Sequence, residues 1–365
     1  MRKKKIVFHS SFSKGKTGFG RNARAFLTHL FKTGKYEIVE YACGLRWNDV
    51  ACKSVPWKCR GVFPDDENEY RAVTNPNNPS HRHISYGSLN IDRIIKEEKP
   101  DIYIGVEDLW AFGGYWNKPW WNKFTCVLWT TLDSLPILRQ AEEQAPKIKN
   151  YWVWADFARK ALHDLGQTHV KTFHSGMETE HFRPLPEAER LKFRRDNLID
   201  DDELIFGFVF RNQLRKLSGS LIEGYKKFKD QYSDIPARLL FHTYWDEPAG
   251  YDIPAFLREF KVDKEDVLTT YICGFCKDVT LQPYQGQGLQ CKKCGRKTVM
   301  NPRPELGCTE EQLNMVYNAM DGYVHLMTSG GLEMPIVEAM LTGLPTATIP
   351  YSCGTEYTDH DFVYP

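Results

Sequence analysis

Net charge is nearly absent from this sequence. Its 365 residues carry 48 lysines and arginines against 47 aspartates and glutamates, a formal +1. So close a balance excludes bulk attraction to nucleic acid or to an anionic membrane and leaves only local patches. Long hydrophobic runs are also lacking. The first apolar stretch, Ile6-Val7-Phe8 behind Met1-Arg2-Lys3-Lys4-Lys5, is too short for a signal peptide. No segment approaches the roughly 20 apolar residues of a membrane span, so a cytoplasmic setting is expected. There is no internal repeat and no low-complexity tract, which excludes solenoids and fibrous arrays. A Walker loop is missing as well: Gly15-Lys16-Thr17 occurs, but position 10, where its first glycine would stand, is Ser10.

What is present is an ordinary globular composition, 42% apolar and 26% charged, in a length that suits about two domains. Residues 4–10 read as a buried strand. A loop with Gly15, Gly18 and Gly20 follows. Residues 22–31 then place Ala23, Phe26, Leu27, Leu30 and Phe31 at helical spacing before Gly34 stops the helix. A second strand over 36–42 completes a βαβ start, which argues a parallel sheet. Residues 45–90 hold Pro56, Pro64, Pro76, Pro79 and repeated Asn, and read as a long irregular surface excursion. Strands over 101–106, 124–130, 151–155 and 169–173, with a helix over 156–165, continue the first domain. The tryptophans concentrated from Trp110 to Trp154 read as core and cleft wall, and a share of them suits sugar or base stacking.

The composition shifts through 174–203, with Pro184, Pro186 and a charge-rich stretch, and marks a boundary. We therefore expect an α/β protein of two Rossmann-like domains, residues 1–180 and 181–365. The second domain reads as strands over 204–210, 237–242, 267–272, 322–326 and 346–349. Helices over 220–228, 254–260, 309–320 and 336–341 separate them. Such sheets bind ligands at the carboxyl ends of their strands and at domain interfaces.

Three runs carry chemistry. After the strand over 322–326 comes Gly330-Gly331-Leu332-Glu333-Met334-Pro335-Ile336-Val337-Glu338. Glycines permit close backbone approach, Pro335 suits a first helical turn, and a helix N-terminus offers N–H groups to phosphate. Glu338, expected in that first turn, is placed to accept ribose hydroxyls. The alternative is an ordinary Gly-Pro turn with a charge-favoured glutamate. In the second run, Arg211 and Lys216 stand beyond the end of the strand over 204–210, where two cations can clamp a diphosphate leaving group. A solvated basic loop is the alternative. The third, Gly18-Phe19-Gly20-Arg21, fits a loop that lets a substrate approach the first domain.

Together these runs resemble retaining GT-B glycosyltransferases, above all the large family 4. Arg211 and Lys216 match that family's Arg-x4-Lys pair. Glu338 matches the second Glu of Glu-x7-Glu, and Pro335, Ala339, Met340, Gly343 and Pro345 follow the surrounding pattern. Gly18-Phe19-Gly20-Arg21 resembles the family's Gly-Gly-x-Gly-Arg loop. Ser175-Gly176-Met177-Glu178-Thr179-Glu180-His181-Phe182 resembles its interdomain Asn-Gly-Val-Asp-x-x-x-Phe segment. The similarity covers roughly residues 4–42, 151–230 and 309–357.

The resemblance implies a GT-B fold, a nucleoside-diphosphate-sugar donor and no metal in the chemistry. It implies that Arg211 and Lys216 neutralise the diphosphate and that Glu338 holds the ribose. Backbone N–H groups near Gly330, Gly331 and Leu332, and around Gly354-Thr355, would face the donor. Two departures stand out. Gly330 occupies the position of the first Glu; Glu333, three residues on, replaces it if its side chain turns to the sugar, and otherwise caps the helix. The family's His-Asp after a central strand is Leu132-Asp133 here, leaving Asp133 as an acceptor-side candidate, with Glu107-Asp108 as another and turn capping as the alternative for both. Family members usually continue past the position of Glu356-Tyr357 through further helices; the sequence ends at Pro365.

Cys273-Gly-Phe-Cys276 and Cys291-Lys-Lys-Cys294, fourteen residues apart, are two knuckles of a four-thiolate site of the kind zinc prefers. We expect a structural Zn2+ in a ribbon over 271–298, inserted in the donor domain, with a hairpin over 280–288 between the knuckles. The other six cysteines read as buried thiols. Lys277, Lys292, Lys293, Arg296, Lys297 and Arg303 make the insertion basic. It either docks a macromolecular acceptor such as DNA or presents a solvated face. Two further readings stay open: a glycosyltransferase acting on modified-base DNA, and a GT-B protein that binds a nucleotide sugar or nucleic acid without turnover. The acceptor (small molecule, glycan or DNA) and the oligomeric state are not set by the sequence.

Overall fold

A computed structural model describes residues 2–303, 305–358 and 363–364. The chain forms two units: Met1–Glu178 with Gly330–Leu332, and Thr179–Ser329 with Glu333–Pro365.

The first unit is built on seven parallel strands, β1 (Lys4–Ser11), β2 (Tyr36–Arg46), β3 (Lys58–Phe63), β4 (Ile102–Gly105), β5 (Thr125–Thr130), β6 (Tyr151–Val153) and β7 (Lys171–Thr172). They lie in the order β3-β2-β1-β4-β5-β6-β7. The middle strands are buried along nearly their whole length, as parallel sheets covered on both faces require. The first helix starts at Gly18, four residues earlier than its apolar spacing suggests. Thr17 caps it by accepting the Gly20 N–H at 3.1 Å, and Gly34 closes it in the left-handed region. Gly18 and Gly20 of the expected loop are therefore helical, and Gly15 remains in the loop.

The irregular excursion is corrected. Residues 45–90 contain β3 and the short helices Glu67–Thr74 and His81–Ser85. Strand β2 shifts register between Ala42 and Arg46 where it pairs with β3. Gly61 lies against that irregularity: a Cβ there would stand 2.1 Å from the Arg46 carbonyl oxygen. An edge strand interrupted this way, with Pro56 and Pro64 on either side, shows little of the periodicity that marks its neighbours.

The second unit carries β8 (Leu204–Val209), β9 (Ala237–His242), β10 (Val267–Cys273), β11 (Val279–Pro283), β12 (Leu289–Gln290), β13 (Lys297–Met300), β14 (Gly322–His325), β15 (Thr346–Thr348) and β16 (Val363–Tyr364). The main path runs β12-β13-β10-β9-β8-β14-β15-β16, and β11 pairs with β10 beside it. Pairing is parallel from β10 through β16 and antiparallel where β11, β12 and β13 join. Phe208, Ile222, Leu239, Phe241, Leu257 and Val267 fill one core cluster. The charge-rich linker holds a helix, Glu187–Asp196, whose Arg194 is buried and donates to the carbonyls of Ala319 and Asp200.

The inserted segment differs from the expected hairpin over 280–288. Each cysteine knuckle is itself a turn: the first joins β10 to β11, the second β12 to β13. Among the described residues no helix is long and apolar enough to cross a membrane.

Candidate functional site

Each sheet has one place where strand order reverses, and there the loops diverge and open a crevice at the carboxyl ends of the strands. In the second unit this is between β8 and β14. The polar groups gathered there come from three segments: the turn Leu214–Lys216 after β8, His325 at the end of β14, and Glu333 before the helix Met334–Leu341.

Lys216 is buried, 3% exposed, and its Nζ is ion-paired with Glu333 Oε1 and 3.5 Å from His325 Nε2. Arg215 donates to the same Glu333 oxygen at 3.3 Å and to the Ser329 carbonyl at 2.6 Å. His325 Nε2 lies 3.3 Å from the other oxygen of Glu333, and its Nδ1 lies 2.8 Å from the Tyr323 hydroxyl. The Glu333 N–H donates to the Tyr357 hydroxyl at 3.2 Å. Burial raises the Glu333 carboxyl, but Lys216, His325 and Arg215 outweigh it and hold the group below the usual carboxylate range. Burial draws the Lys216 ammonium and the His325 imidazole down. The cluster thus gathers two basic side chains, Lys216 and Arg215, and the His325 imidazole around a single carboxylate.

Glu333 stands at the N-cap position of that helix, but its side chain makes no capping bond and its carboxylate belongs to the ion-pair cluster. Arg215 and His325 were not singled out from the sequence. The available signals were slight: a histidine ending the apolar run Tyr323-Val324, and a second cation beside Lys216. Arg211 stands apart from the cluster, mostly exposed and 3.2 Å from Glu247.

Glu338 is corrected in position. The helix begins at Met334, with Pro335 in its first turn, so Glu338 lies in the second turn and no acidic residue lies in the first. The Glu338 carboxyl is fully buried and accepts the Tyr317 hydroxyl at 2.7 Å. Thr355 is exposed in the short turn Ser352–Glu356, its hydroxyl donating to the Ser352 carbonyl. Gly354 beside it is required by packing, since a Cβ would stand 2.0 Å from the Ile349 carbonyl oxygen.

In the first unit the order reverses between β1 and β4. Glu107, just past β4, reaches across to β1 and accepts both the Ser11 N–H and the Ser11 hydroxyl at 2.7 Å. It is 2% exposed. Burial pushes its carboxyl up to about 8, the Ser11 donors opposing and the Asp108 charge adding to the rise. Asp108 is half-buried; Thr131 donates to one oxygen and Trp110 Nε1 to the other, and the Arg82 guanidinium lies over the Trp110 ring at 3.6 Å. Asp133 is half-buried on the loop after β5, and its carbonyl accepts the Gly330 N–H at 2.7 Å. Leu132 is buried, so the position of the family histidine is filled by core.

The glycines do not all serve a ligand. Gly331 is tight against protein: a Cβ would stand 2.5 Å from Thr131 Cβ and 2.7 Å from Asp133 Oδ1. Gly20 is equally confined by the carbonyls of Phe12 and Gly15, whereas Gly18 faces open space. Gly330 is buried and Leu332 half-buried. The loop ahead of Gly18 is anchored by buried Glu40, which accepts the Ser13 N–H, the Ser13 hydroxyl and Trp57 Nε1.

The four knuckle cysteines place their Sγ atoms within 4.8 Å of one another. The Cys273–Cys294 and Cys276–Cys291 sulfurs are each 3.6 Å apart. A tetrahedral zinc with Zn–S bonds of about 2.3 Å spaces its sulfurs roughly 3.8 Å apart, while a disulfide needs about 2.05 Å. The geometry is consistent with a zinc ribbon and does not suit a disulfide.

Comparison by sequence gives no match: no family model and no curated protein is similar to the chain. Comparison by structure does. HepE of Anabaena, solved in complex with UDP and glucose, superposes with a TM-score of 0.61 at 14% identity, over 98% of this chain and 83% of that one. A glycosyltransferase from Rickettsia africae gives 0.64 at 13% identity, over 99% and 83%. Sucrose-phosphate synthase from Thermosynechococcus elongatus gives 0.64 at 13%, over 98% and 83%. The chain has the α/β GT-B fold, with a four-cysteine insertion in its second unit.

Proposed function

We propose that this chain is a glycosyltransferase that moves a hexosyl or pentosyl group from a nucleoside-diphosphate sugar to an acceptor hydroxyl with retention of configuration. The observation that carries the proposal is the buried Lys216–Glu333–His325 cluster, with Arg215, at the strand-order reversal of the second unit. Two basic side chains and an imidazole gathered at the carboxyl ends of parallel strands are suited to a diphosphate. That HepE binds UDP and glucose supports the same reading.

In this reading Arg215 and Lys216, helped by Arg211, offset the charge that develops on the departing diphosphate. Glu333 acts as a positioning residue, holding both cations and the imidazole in place of the family's first glutamate. Tyr317 orients the Glu338 carboxyl for the ribose hydroxyls, and N–H groups near Gly330, Gly331, Leu332 and Thr355 serve the phosphates or sugar. The acceptor oxygen forms its bond to the anomeric carbon on the face from which the diphosphate leaves, and the leaving oxygen takes the acceptor proton. Gly18 and Gly20, Asp133 and the Glu107–Asp108 pair belong to the acceptor side.

Cys273, Cys276, Cys291 and Cys294 would hold a zinc ion, which would supply folding energy to the ribbon and take no part in the transfer. The setting is cytoplasmic, where the thiols stay reduced. Metal analysis of the purified chain is expected to give one zinc per molecule.

The test is a mass-spectrometric screen of nucleoside-diphosphate sugars for release of nucleoside diphosphate, with the anomeric configuration of the product read by NMR. Glu338→Ala is expected to lower turnover at least tenfold. A protein that binds a donor and never releases nucleoside diphosphate is a binding protein, and one that binds no nucleotide sugar overturns the proposal.

A further inference from the structure

The cysteine insertion carries a surface that the donor chemistry does not use. Between Cys273 and Met300 there are five cations, Lys277, Lys292, Lys293, Arg296 and Lys297, against one acid, Asp278. That surplus of four stands in a chain whose total is +1, so the remainder carries −3. Four thiolates around one divalent zinc leave −2, and the metal-loaded ribbon still keeps +2.

The two knuckles form one tip. Their sulfurs converge, Lys293 reaches Asp278 at 3.3 Å, and the Arg296 guanidinium lies 3.5 Å over the Phe275 ring. Phe275 is nevertheless 55% exposed, although the Tyr271–Val299 cluster beneath it is buried. An apolar ring held at the end of a turn, with a guanidinium parked on it, costs solvation and contributes nothing to the core. Lys292 and Arg296 on the second knuckle and Lys297 at the start of β13 are exposed, and none makes an ion pair among the described residues.

We infer that this tip is a docking surface for single-stranded nucleic acid. A planar ring with an adjacent guanidinium is a stacking platform for an unpaired base, and flexible lysines at its rim match successive phosphates. Both components argue for that occupant over an acidic protein, which would use the lysines and leave the ring idle. A duplex, whose bases are already stacked, would leave it idle too. The inference goes beyond the glycosyltransferase reading and stands without it.

The test uses the full zinc-loaded chain and fluorescence anisotropy with labelled oligo-dT, oligo-rU, a DNA duplex and a poly-glutamate peptide. The expected result is single-strand binding that weakens about fivefold or more in Phe275→Ala. Its log–log salt slope should flatten by about 0.7 for each lysine removed in Lys292→Ala and Lys297→Ala. The dT and rU arms show whether DNA or RNA is favoured. Zinc content and thermal melting must match the parent chain in each variant; a variant that loses zinc is replaced by Lys297→Glu, which lies outside both Cys-x-x-Cys knuckles. Absence of binding at low salt overturns the inference. So do variants that bind like the parent chain, and so does poly-glutamate or duplex binding as tight as oligo-dT. Nucleoside-diphosphate release, where it occurs, should be unchanged by these substitutions, so the two proposals fail separately.

Discussion

The two strand-order reversals solve the same problem in opposite ways. Each buries a glutamate at the carboxyl ends of a parallel sheet, Glu107 in the first unit and Glu333 in the second. Glu107 meets only a serine N–H and hydroxyls, so desolvation wins and the group is a neutral acid up to about pH 8. Glu333 meets Lys216 and Arg215, so the cations win and it stays ionised. The lesson is that burial alone does not decide the state of a carboxyl; the partners that the neighbouring loops supply do. One site is thereby a neutral hydrogen-bonding platform and the other a charged frame for an anion.

The largest effect should come from removing the partner that sets Glu333 apart. Lys216→Met leaves a buried carboxylate with only Arg215 and His325, and should cost about 3 kcal/mol or more of stability in the second unit. Adding Glu333→Gln should recover most of that loss while leaving donor binding abolished. Nine of the ten tryptophans lie in the first unit. The damage is therefore read by hydrogen exchange in peptides around β8 and β14, and tryptophan emission should move little. Equal destabilisation of both units would break the comparison.

The next effect is in pH. Glu107 has a folded value near 8 against an ordinary 4.5. Between those values the native state holds a proton that the unfolded chain has lost. The Glu107 contribution to the stability of the first unit is then full below about pH 4.5 and falls as pH rises to about 8, by at most about 1.4 kcal/mol per unit. Glu333 runs the other way: its value is depressed, so its contribution is present above the ordinary range and lost as pH falls through the folded value. Buried His9, drawn down to about 3, gives an opposing rise that ends near the ordinary imidazole value, so urea melts followed by tryptophan emission at pH 7 to 8.5 should slope downward for the parent chain and lie flat for Glu107→Gln. A downward slope that survives in Glu107→Gln assigns the titration to another group.

These contrasts were only partly legible in the sequence. The buried parallel strands were plain because both faces of such a sheet demand apolar residues, and Ile6-Val7-Phe8 or Leu204–Val209 show it. β3 was not, because a register shift in β2 and Gly61 beside it erase the pattern an edge strand would otherwise show. Both helix starts, at Gly18 and Met334, come earlier than the apolar spacing suggests, because Gly18 reads as loop and the turn Met334-Pro335 precedes the periodic residues from Ile336. Lys216, Glu333 and Glu107 each stood out locally. Their partners did not: His325 and Ser11 come from the far sides of the two reversals, and no local spacing links residues that only the sheet order brings together.

The smallest effect sharpens the neutral side of the comparison. Ser11 gives Glu107 two bonds to one oxygen, from its N–H and its hydroxyl. Ser11→Ala removes the hydroxyl and keeps the N–H, so it should cost about 1 kcal/mol. Both donors favour the ionised form, so losing one should move the Glu107 midpoint further up and extend the downward pH slope of stability beyond pH 8. The readout is the midpoint of the tryptophan-monitored slope in Ser11→Ala against the parent chain. A midpoint that moves down instead means that the hydroxyl oxygen accepts a hydrogen bond from the neutral Glu107 carboxyl rather than donating one to it. The serine would then be stabilising the acid form, and the neutral state of this site would rest on hydrogen bonding as much as on burial.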